Sequence, residues 1–418
     1  MRNIYALLDI GSATIKLVVA EVLDTNVNVL YADKTASHGI SKGYVANEEI
    51  ASEDVKKIVA KANDYLGTTI GSVALIIPTI GSRIYQSDSS ISLSDSGSKI
   101  TSNDIRRILD LSARFKKEAD EELVSVIPIC FHHDQGSNNK VPLDIKSRNL
   151  AVDSLVVTSP KKLLYPFLRV VENAGLDILD VSISAYACAL EAFDEAYMNE
   201  GSILVDVGFK TSTISFYKDG YLKYLSVVPY GGNDFTRNIY QNFQISPEQG
   251  ETYKIKYGSV FDRHSKDDIV HTVVYDDEKK DYSLADLHLL DREIAKAIFT
   301  KIKEKVELID QGNNYEIILV GGGSELKLIP EVASQVLNAP VRLYRPETIG
   351  VRDMAYVSCL GMIYFMINKA KYQGGYEPSL VLDEITNTMS VRLKGLTRNN
   401  PAPQKGVNKI LENLFNDE

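Results

Sequence analysis

Two nine-residue stretches of this chain carry acidic and hydroxyl side chains at the same spacing. The first runs from Asp9 to Leu17 and the second from Asp206 to Ile214, and both read Asp, a β-branched residue, Gly, two variable residues, Thr, two variable residues and an aliphatic residue. Glycine in a tight turn lets successive backbone amides face one anion. Hydroxyl groups that add further donors are those of Ser12, Thr14, Thr211 and Thr213. Two such turns facing each other would hold a polyphosphate from both sides.

The aspartates of the two turns imply a metal ion. Asp9 and Asp206 cannot both face phosphate oxygens without a cation between them, so the pattern predicts Mg²⁺ bound through water. One Asp-x-Gly turn after a strand is a common structural turn, and it is the second copy that favours phosphate binding.

A third glycine cluster extends the pattern. Gly321, Gly322, Gly323 and Ser324 follow an apolar strand, and the missing side chains would let a flat group approach the backbone. A helix predicted over Ser324 to Leu337 would present its N-terminal amides there. Leu326 stands where a dinucleotide-binding G-x-G-x-x-G run requires glycine, and the chain has no P-loop motif.

The elements that position these residues have α/β character. An apolar strand precedes each aspartate, helical spacing covers 52–65, and a very apolar strand follows at Val73 to Ile77. Serines dominate 82–101, after which Thr101 and Asp104 have capping-box spacing. We therefore predict a small α/β insert near 83–162 and, later, one long amphipathic helix near 283–310.

Composition and charge restrict the classes of function. The 418 residues are 44% hydrophobic and 24% charged, which is typical of a folded globular protein. The formal net charge of -10 argues against sequence-independent nucleic-acid binding, so we expect no nucleic-acid partner. The three cysteines lie far apart in the sequence, which disfavours a disulfide framework, and Asp9 interrupts the N-terminal apolar run that a secretion signal requires.

The two phosphate turns and the later glycine loop resemble the actin, sugar-kinase and heat-shock chaperone ATPase superfamily. Within it, the stretch from Pro229 to Thr236, followed by Glu248, Glu251, Lys254 and Lys256, resembles the bacterial FtsA family. Lys99 to Ile105 is similar to the first helix of a subdomain that FtsA has and other actins lack. This resemblance covers Tyr5 to about Met366. It implies an ATP-binding actin homologue that polymerises on the cytoplasmic face of the membrane, at the division septum, and anchors FtsZ.

The resemblance implies an α/β, actin-like two-domain ATPase fold with an FtsA-type inserted subdomain and a C-terminal amphipathic helix. The first domain core would comprise 1–82, 163–200 and 351–372, with the insert at 83–162. The second core would comprise 201–235 and 312–350, with subdomain 2B at 236–311. A flexible linker would span 373–403 and the membrane-binding helix 404–418.

The resemblance also assigns a nucleotide site. The residues it places around ATP are Asp9, Gly11, Ser12, Thr14, Lys16, Asp206, Gly208, Lys210, Thr211, Thr213, Glu251, Lys254, Gly321, Gly322, Gly323 and Ser324. Asp9 and Asp206 would hold Mg²⁺. Phe209 and Lys210 stand where the family usually has glycines, so either the lysine supplies a cation to the phosphates or the bulk slows hydrolysis. We expect ATP binding with at most slow ATPase activity.

The C-terminal segment has the pattern of an amphipathic helix. Its apolar residues recur at helical spacing and are Val407, Ile410, Leu411, Leu414 and Phe415. Such a helix docks on its own domain in many proteins, but a Pro- and Asn-containing tether precedes this one and favours a lipid surface. Many tails in one filament would strengthen attachment.

Two further partners follow from the resemblance. Arg292 and Lys296 resemble the FtsA pattern that contacts the acidic FtsZ tail, although a solvated helix face with i,i+4 pairing explains them equally well. Later division proteins would join the same filament. The competing hypotheses are a small-molecule kinase of the superfamily, for which no carboxylate base is marked and which has no use for a membrane-binding tail, and a PilM-type pilus-assembly adaptor. The PilM-type hypothesis predicts that removing the terminal helix leaves localisation unchanged.

Overall fold

A computed structural model of the protein describes residues 2–23, 26–93, 98–261, 268–275, 278–309, 315–373 and 379. The predicted helix over 404–418, with its five apolar residues, lies outside the described residues, as does the predicted linker 373–403 apart from residues 373 and 379. Within the described ranges no helix is both long and apolar enough to cross a bilayer.

The first lobe is a five-stranded sheet between helical layers. Its strands are β1 (Arg2–Ile10), β2 (Thr14–Leu23), β3 (Asn26–Ala36), β6 (Ser72–Ile77) and β11 (Asp177–Ile183), in the order β11-β6-β1-β2-β3. A short hairpin, β4 (Ile40–Ser41) and β5 (Tyr44–Val45), follows β3, and the helices are α1 (Glu48–Leu66), α3 (Lys161–Asn173), α4 (Ser184–Ala192) and α10 (Val357–Gln373). Ile4 and Leu8 of β1 pack with α1 and α3, whereas Tyr5 and Leu7 pack with α10 on the opposite face. The strand's period of two places the sheet between these layers.

The second lobe repeats the strand order of the first. Its strands are β12 (Ser202–Val207), β13 (Ser212–Lys218), β14 (Tyr221–Val228), β17 (Glu316–Val320) and β18 (Val341–Leu343), in the order β14-β13-β12-β17-β18. In both lobes the aspartate strand pairs antiparallel with the strand after its turn and parallel with a later strand. The repeat seen in the two turns therefore extends to the whole sheets.

Helices and one hairpin complete the second lobe. They are α5 (Glu195–Glu200), α6 (Gly232–Phe243), α7 (Pro247–Tyr257), α8 (Leu284–Val306), α9 (Ile329–Leu337) and the hairpin of β15 (Ile269–Tyr275) and β16 (Glu278–Ser283). The long helix predicted near 283–310 is confirmed by α8, which begins after a capping box at Ser283 and buries a stripe that includes Leu287, Ala295 and Ile302.

A four-stranded sheet with its own helix stands between β6 and α3. Its elements are β7 (Arg83–Ser92), α2 (Ser102–Ser112), β8 (Glu121–His133), β9 (Gly136–Asn138) and β10 (Asn149–Pro160), with the strand order β7-β10-β8-β9. The predicted capping box is present, since Thr101 accepts from the Asp104 amide and Asp104 accepts from the Thr101 amide. Ile105 and Ile108 of α2 pack on Phe131 and Val152 of the sheet.

The helix predicted after the glycine cluster was placed wrongly. Gly322 to Ser324 form a short 3₁₀ turn, and α9 begins only at Ile329. Leu328 has a left-handed conformation with φ of 62°, which prevents the helix from extending backwards to Ser324. The amides of α9 are therefore displaced along the chain from the glycine cluster.

The helices α4 and α10 of the first lobe pack closely against each other. α4 leads from the first sheet towards the second lobe, and α10 returns to the first lobe after β18. A Cβ on Gly361 of α10 would lie 1.7 Å from the Ala187 carbonyl oxygen of α4. This contact requires glycine at the crossing.

Candidate functional site

The two aspartate turns close in the same way. The Gly11 amide donates to the Thr14 carbonyl at 3.1 Å, and the Gly208 amide donates to the Thr211 carbonyl at 3.0 Å. The glycine amides thus stabilise the turns rather than face an anion. A Cβ on either glycine would lie 2.9 Å from the carbonyl oxygen of the matching threonine.

Asp9 at the end of β1 is held by two partners. The Lys16 Nζ lies 3.1 Å from the Asp9 Oδ2, and the Ser358 hydroxyl donates to the same oxygen at 2.6 Å. Burial disfavours the charged form of Lys16, but Asp9 and, more weakly, Asp206 outweigh that effect and raise the pKa of the ammonium group. Lys16 therefore pairs directly with Asp9, and Asp206 acts on it only as a more distant charge.

Of the two aspartates, Asp206 at the end of β12 has the negative charge that its surroundings stabilise less. Burial raises the pKa of Asp206 to about 6, with Lys16 lowering it and Asp9 raising it further. Gly321, at φ of 85°, lies against this side chain, and a Cβ there would be 2.2 Å from the Asp206 Oδ1. A buried carboxylate that ionises reluctantly next to a second carboxylate favours a bound cation.

The glycine cluster and α7 meet on the second-lobe side of the site. The Lys254 Nζ donates to the Gly232 carbonyl at 3.2 Å and lies 2.7 Å from the Glu251 Oε2. The backbone of Gly323 approaches Gly232, whose Cβ would be 3.4 Å from the Gly323 Cα. The Ser324 hydroxyl donates to the Val320 carbonyl at 2.9 Å and so fixes the turn. The structure thus brings Glu251 and Lys254 next to the glycine cluster.

The hydroxyl residues of the turns have different surroundings. The Ser12 Oγ accepts from the Gly43 amide at 2.9 Å, which ties the first turn to the β4–β5 hairpin. Thr14 and Thr211 are half-buried, whereas Thr213 is buried within β13 opposite Asp206. Lys210 is half-buried, and its Nζ lies 3.4 Å from the Ser41 Oγ.

Arg292 and Lys296 form a separate surface on α8. Lys296 is exposed, and the Arg292 guanidinium carbon lies 4.9 Å from the centre of the Phe261 ring. Phe261 also lines a cavity of about 500 Å³ between α7 and α8. The full lining is Lys256, Tyr257, Ser259, Phe261, Leu284, His288, Lys327 and Leu328.

A buried acid lies beneath this surface. The Ser259 amide donates to the Asp291 Oδ2 at 3.1 Å, while within the described residues the Oδ1 has no hydrogen-bond partner. Burial raises the pKa of Asp291 to about 8, against the Ser259 hydrogen bond and Lys254, which lower it.

Sequence reasoning missed some of these residues. Ser358 lies 349 positions from Asp9, so spacing carries no signal for their contact. For Asp291 the sequence does contain a signal, because this residue falls on the buried stripe of α8 between Leu287 and Ala295. Among the described residues no group of three or more His, Cys, Asp or Glu side chains is arranged to hold a metal ion.

Solved structures establish the class of the fold. The PilM–PilN type IV pilus biogenesis complex matches with a TM-score of 0.59 and 14% identity, covering 86% of this chain and 98% of the matched chain. MreB5 of Spiroplasma citri bound to ADP matches with a TM-score of 0.53 and 13% identity, covering 88% and 98%. The protein has the actin-like two-domain fold.

Sequence relatives narrow the class. The family model for cell division protein FtsA matches residues 203–361, the model for the SHS2 domain inserted in FtsA matches 81–158, and the model for type IV pilus assembly protein PilM matches 138–267. FtsA of Bacillus subtilis (strain 168) is 25% identical over 98% of this chain and 94% of its own length. FtsA of Staphylococcus epidermidis (strain ATCC 35984) is 27% identical over 87% and 78%. The chain is therefore similar to FtsA cell-division proteins over nearly its whole length, and the FtsA models match its second lobe and its inserted sheet.

Proposed function

We propose that the chain binds ATP and Mg²⁺ between its lobes, assembles into filaments on the cytoplasmic face of the membrane at the division septum, and tethers FtsZ there. The observation that carries the nucleotide part is the pair of aspartate turns, which follow equivalent strands of the two lobes and close with the same Gly-to-Thr hydrogen bond. MreB5, which shares the fold, was solved with ADP. The matched relatives are cell-division proteins, which supports the division part.

The residues present fit a magnesium nucleotide. Gly322 faces open space, since among the described residues a Cβ there would have no atom within 4 Å, and Asp9 and Asp206 supply the oxygen ligands that Mg²⁺ prefers, directly or through water. The metal would neutralise phosphate charge when bound. Glu251 and Lys254 would lie beside the ribose and adenine, because they adjoin the glycine cluster.

We expect the bound nucleotide to act more as a structural element than as a substrate. Phe209 and Lys210 occupy a turn in which the family usually has glycines, and we assign no side chain as a general base for water. Slow turnover would let ATP hold the two lobes in one arrangement for polymerisation.

The surface on α8 supports binding of an acidic tail. Arg292 and Lys296 lie four residues apart on one helix face and carry positive charge, and Lys256 and Lys327 line the neighbouring cavity. The apolar walls of that cavity, including Phe261, would accept side chains that accompany the acidic residues of the FtsZ tail.

Lipid attachment rests on the terminal apolar stripe. Five apolar residues give a single tail weak, reversible membrane binding, since an interfacial helix buries only part of each side chain and must order its backbone. Filament formation multiplies the tails and therefore the avidity. Later division proteins would be recruited to the same assembly.

Co-sedimentation with liposomes tests the adaptor function. The full chain, a form truncated after Asn400 and Arg292→Glu are each mixed with FtsZ, liposomes and ATP. The full chain should carry FtsZ into the lipid pellet. The truncated form should leave both proteins in the supernatant, and Arg292→Glu should reach the lipid while losing at least about tenfold in FtsZ affinity.

Two outcomes would contradict the proposal. Lipid binding that survives truncation would mean that the tail packs on its own protein, and FtsZ binding that survives Arg292→Glu would move the binding surface elsewhere. A full chain that binds neither lipid nor FtsZ but localises with a pilus-assembly complex would favour the PilM-type function, which the match over 138–267 makes the second candidate.

A further inference from the structure

Lys210 spans the space between the two lobes. It belongs to the second aspartate turn, and its ammonium group donates to the Ser41 hydroxyl at 3.4 Å in the first-lobe hairpin β4–β5. That hairpin is tied to the first aspartate turn through the Gly43 amide and the Ser12 hydroxyl, 2.9 Å apart. A chain of contacts therefore runs from one turn to the other through Lys210.

The backbone that carries Lys210 is braced. The Asn233 amide donates to the Phe209 carbonyl at 2.7 Å, and the Gly232 amide donates to the Gly208 carbonyl at 2.8 Å. Gly231 packs so closely that a Cβ there would lie 2.4 Å from the Gly208 carbonyl oxygen. The start of α6 thus holds the turn in place, and the Lys210 side chain extends to the first lobe from a backbone segment of defined position.

Lys210 and Lys254 both lie near the second aspartate turn, where the Lys254 Nζ is 5.7 Å from the centre of the Phe209 ring, but they contact different residues. Lys254 contacts Gly232 and Glu251 beside the glycine cluster, whereas Lys210 contacts Ser41 across the cleft. If the two aspartate turns hold the polyphosphate, the Lys210 ammonium lies beside the phosphates, because its contacts link one turn to the other.

The charge of the site makes Lys210 important. Asp9 and Asp206 contribute two carboxylates, and Lys16 already neutralises one of them at 3.1 Å. A triphosphate together with the two carboxylates carries more negative charge than the proposed Mg²⁺ and Lys16 offset, so a further cation nearby would favour its binding. The Ser41 hydroxyl is a neutral partner at the long end of the hydrogen-bond range, so an ammonium group gains by exchanging it for a phosphate oxygen.

We propose that Lys210 is a lobe-bridging cation that leaves Ser41 to bind the terminal phosphate of a nucleoside triphosphate, so that the site binds ATP in preference to ADP. This inference rests on the proposed nucleotide site. It gives a specific role to the lysine that stands where the family usually has glycine. A glycine there has no charge and could not favour a triphosphate over a diphosphate.

Calorimetric titration of the full chain with Mg-ATP and Mg-ADP tests the inference. Lys210→Ala should weaken ATP binding by about tenfold or more and ADP binding by less than about threefold. Lys210→Arg keeps the charge and should retain most of the ATP affinity. Ser41→Ala removes only the resting partner and should leave ATP affinity equal to or tighter than that of the wild type.

The comparison variant is Asp206→Ala, which should weaken the binding of both nucleotides at least about tenfold. Equal losses for ATP and ADP in Lys210→Ala, or a Ser41→Ala loss as large as that of Lys210→Ala, would overturn the inference and make Lys210 a structural contact. If the wild type binds both nucleotides and Lys210→Ala matches it, the inference alone fails. If the wild type binds neither, the proposed nucleotide site fails and the inference with it.

Discussion

Asp9 and Asp206 occupy equivalent positions in two copies of one hairpin, yet their surroundings differ. Asp9 has Lys16 and Ser358 within hydrogen-bond distance, whereas Asp206 is buried against Gly321 and has a pKa raised to about 6, mainly by burial. The two halves of the site therefore respond differently to a cation. Neutralisation by a metal would stabilise the ionised form of Asp206 more than that of Asp9, which is already paired.

The repeated turns could be predicted because both copies carry the same residue types at the same spacing. Their partners could not, since Ser358 and Ser41 reach the site from segments that only the folded chain brings together. The hydrogen bonds of the glycine amides could not be predicted either. A sequence does not show that the amides of Gly11 and Gly208 donate to carbonyls within their own turns.

Asp291 should make folding stability fall as pH rises. Burial raises the pKa of Asp291 to about 8 in the folded protein, well above the value of about 3.9 for an exposed aspartate. Below about pH 4 both states are protonated. Between about pH 4 and 8 the folded state keeps a proton that the unfolded state releases, so this group lowers the free energy of unfolding by up to about 1.4 kcal/mol per pH unit.

Asp291→Asn should remove that contribution, since the amide does not titrate. Urea unfolding at several pH values between 5 and 8 measures the slope, and Glu293→Gln, an exposed acid on the same helix, serves as the control that should keep it. An Asp291→Asn variant with the slope of the wild type would show that the carboxyl is ionised in the folded protein.

At the scale of elements, the start of one helix could be predicted from neighbouring residues and the start of another could not. Thr101 and Asp104 satisfy each other's backbone amides, so the start of α2 depends on four consecutive residues and was predictable. The start of α9 depends on Leu328 adopting a left-handed conformation that its own side chain disfavours. Tertiary packing imposes that conformation, so it could not be predicted from the neighbouring residues.

The crossing of α4 and α10 should not tolerate a side chain. In Gly361→Ala the new methyl group would lie 1.7 Å from the Ala187 carbonyl oxygen, so the helices must separate. Alanine favours an isolated helix over glycine by about 1 kcal/mol, but overpacking at a buried crossing costs about 1 to 3 kcal/mol or more, so we expect net destabilisation.

Thermal unfolding of Gly361→Ala measures this effect. Gly71→Ala is the matched control, because a Cβ at Gly71 would meet only the Ser379 carbonyl oxygen, at 4.0 Å. The melting temperature should fall for Gly361→Ala and change little for Gly71→Ala. A Gly361→Ala protein as stable as the wild type would mean that the crossing adjusts without cost.

At the scale of the whole molecule, the inserted sheet links the two lobes. It is joined covalently to the first lobe through β7 and β10, and its edge strand β7 contacts β14, the edge strand of the second-lobe sheet. The Gln86 Nε2 donates to the Tyr221 hydroxyl at 2.6 Å, and Ile84 and Tyr221 pack on the same apolar cluster. Any rearrangement of the lobes must therefore move or break this contact.

Removing the Tyr221 ring should loosen the inserted sheet. Tyr221→Ala takes away both the hydrogen bond and the packing, so amide hydrogen exchange over 83–92 should rise by about tenfold or more. Tyr221→Phe keeps the ring and loses only the hydroxyl, and its exchange should stay closer to that of the wild type because an exposed hydrogen bond contributes little net stability. If Tyr221→Ala accelerates exchange only within β14 itself and leaves 83–92 protected, then the first lobe alone holds the inserted sheet, and movement of the second lobe is not transmitted to it by this contact.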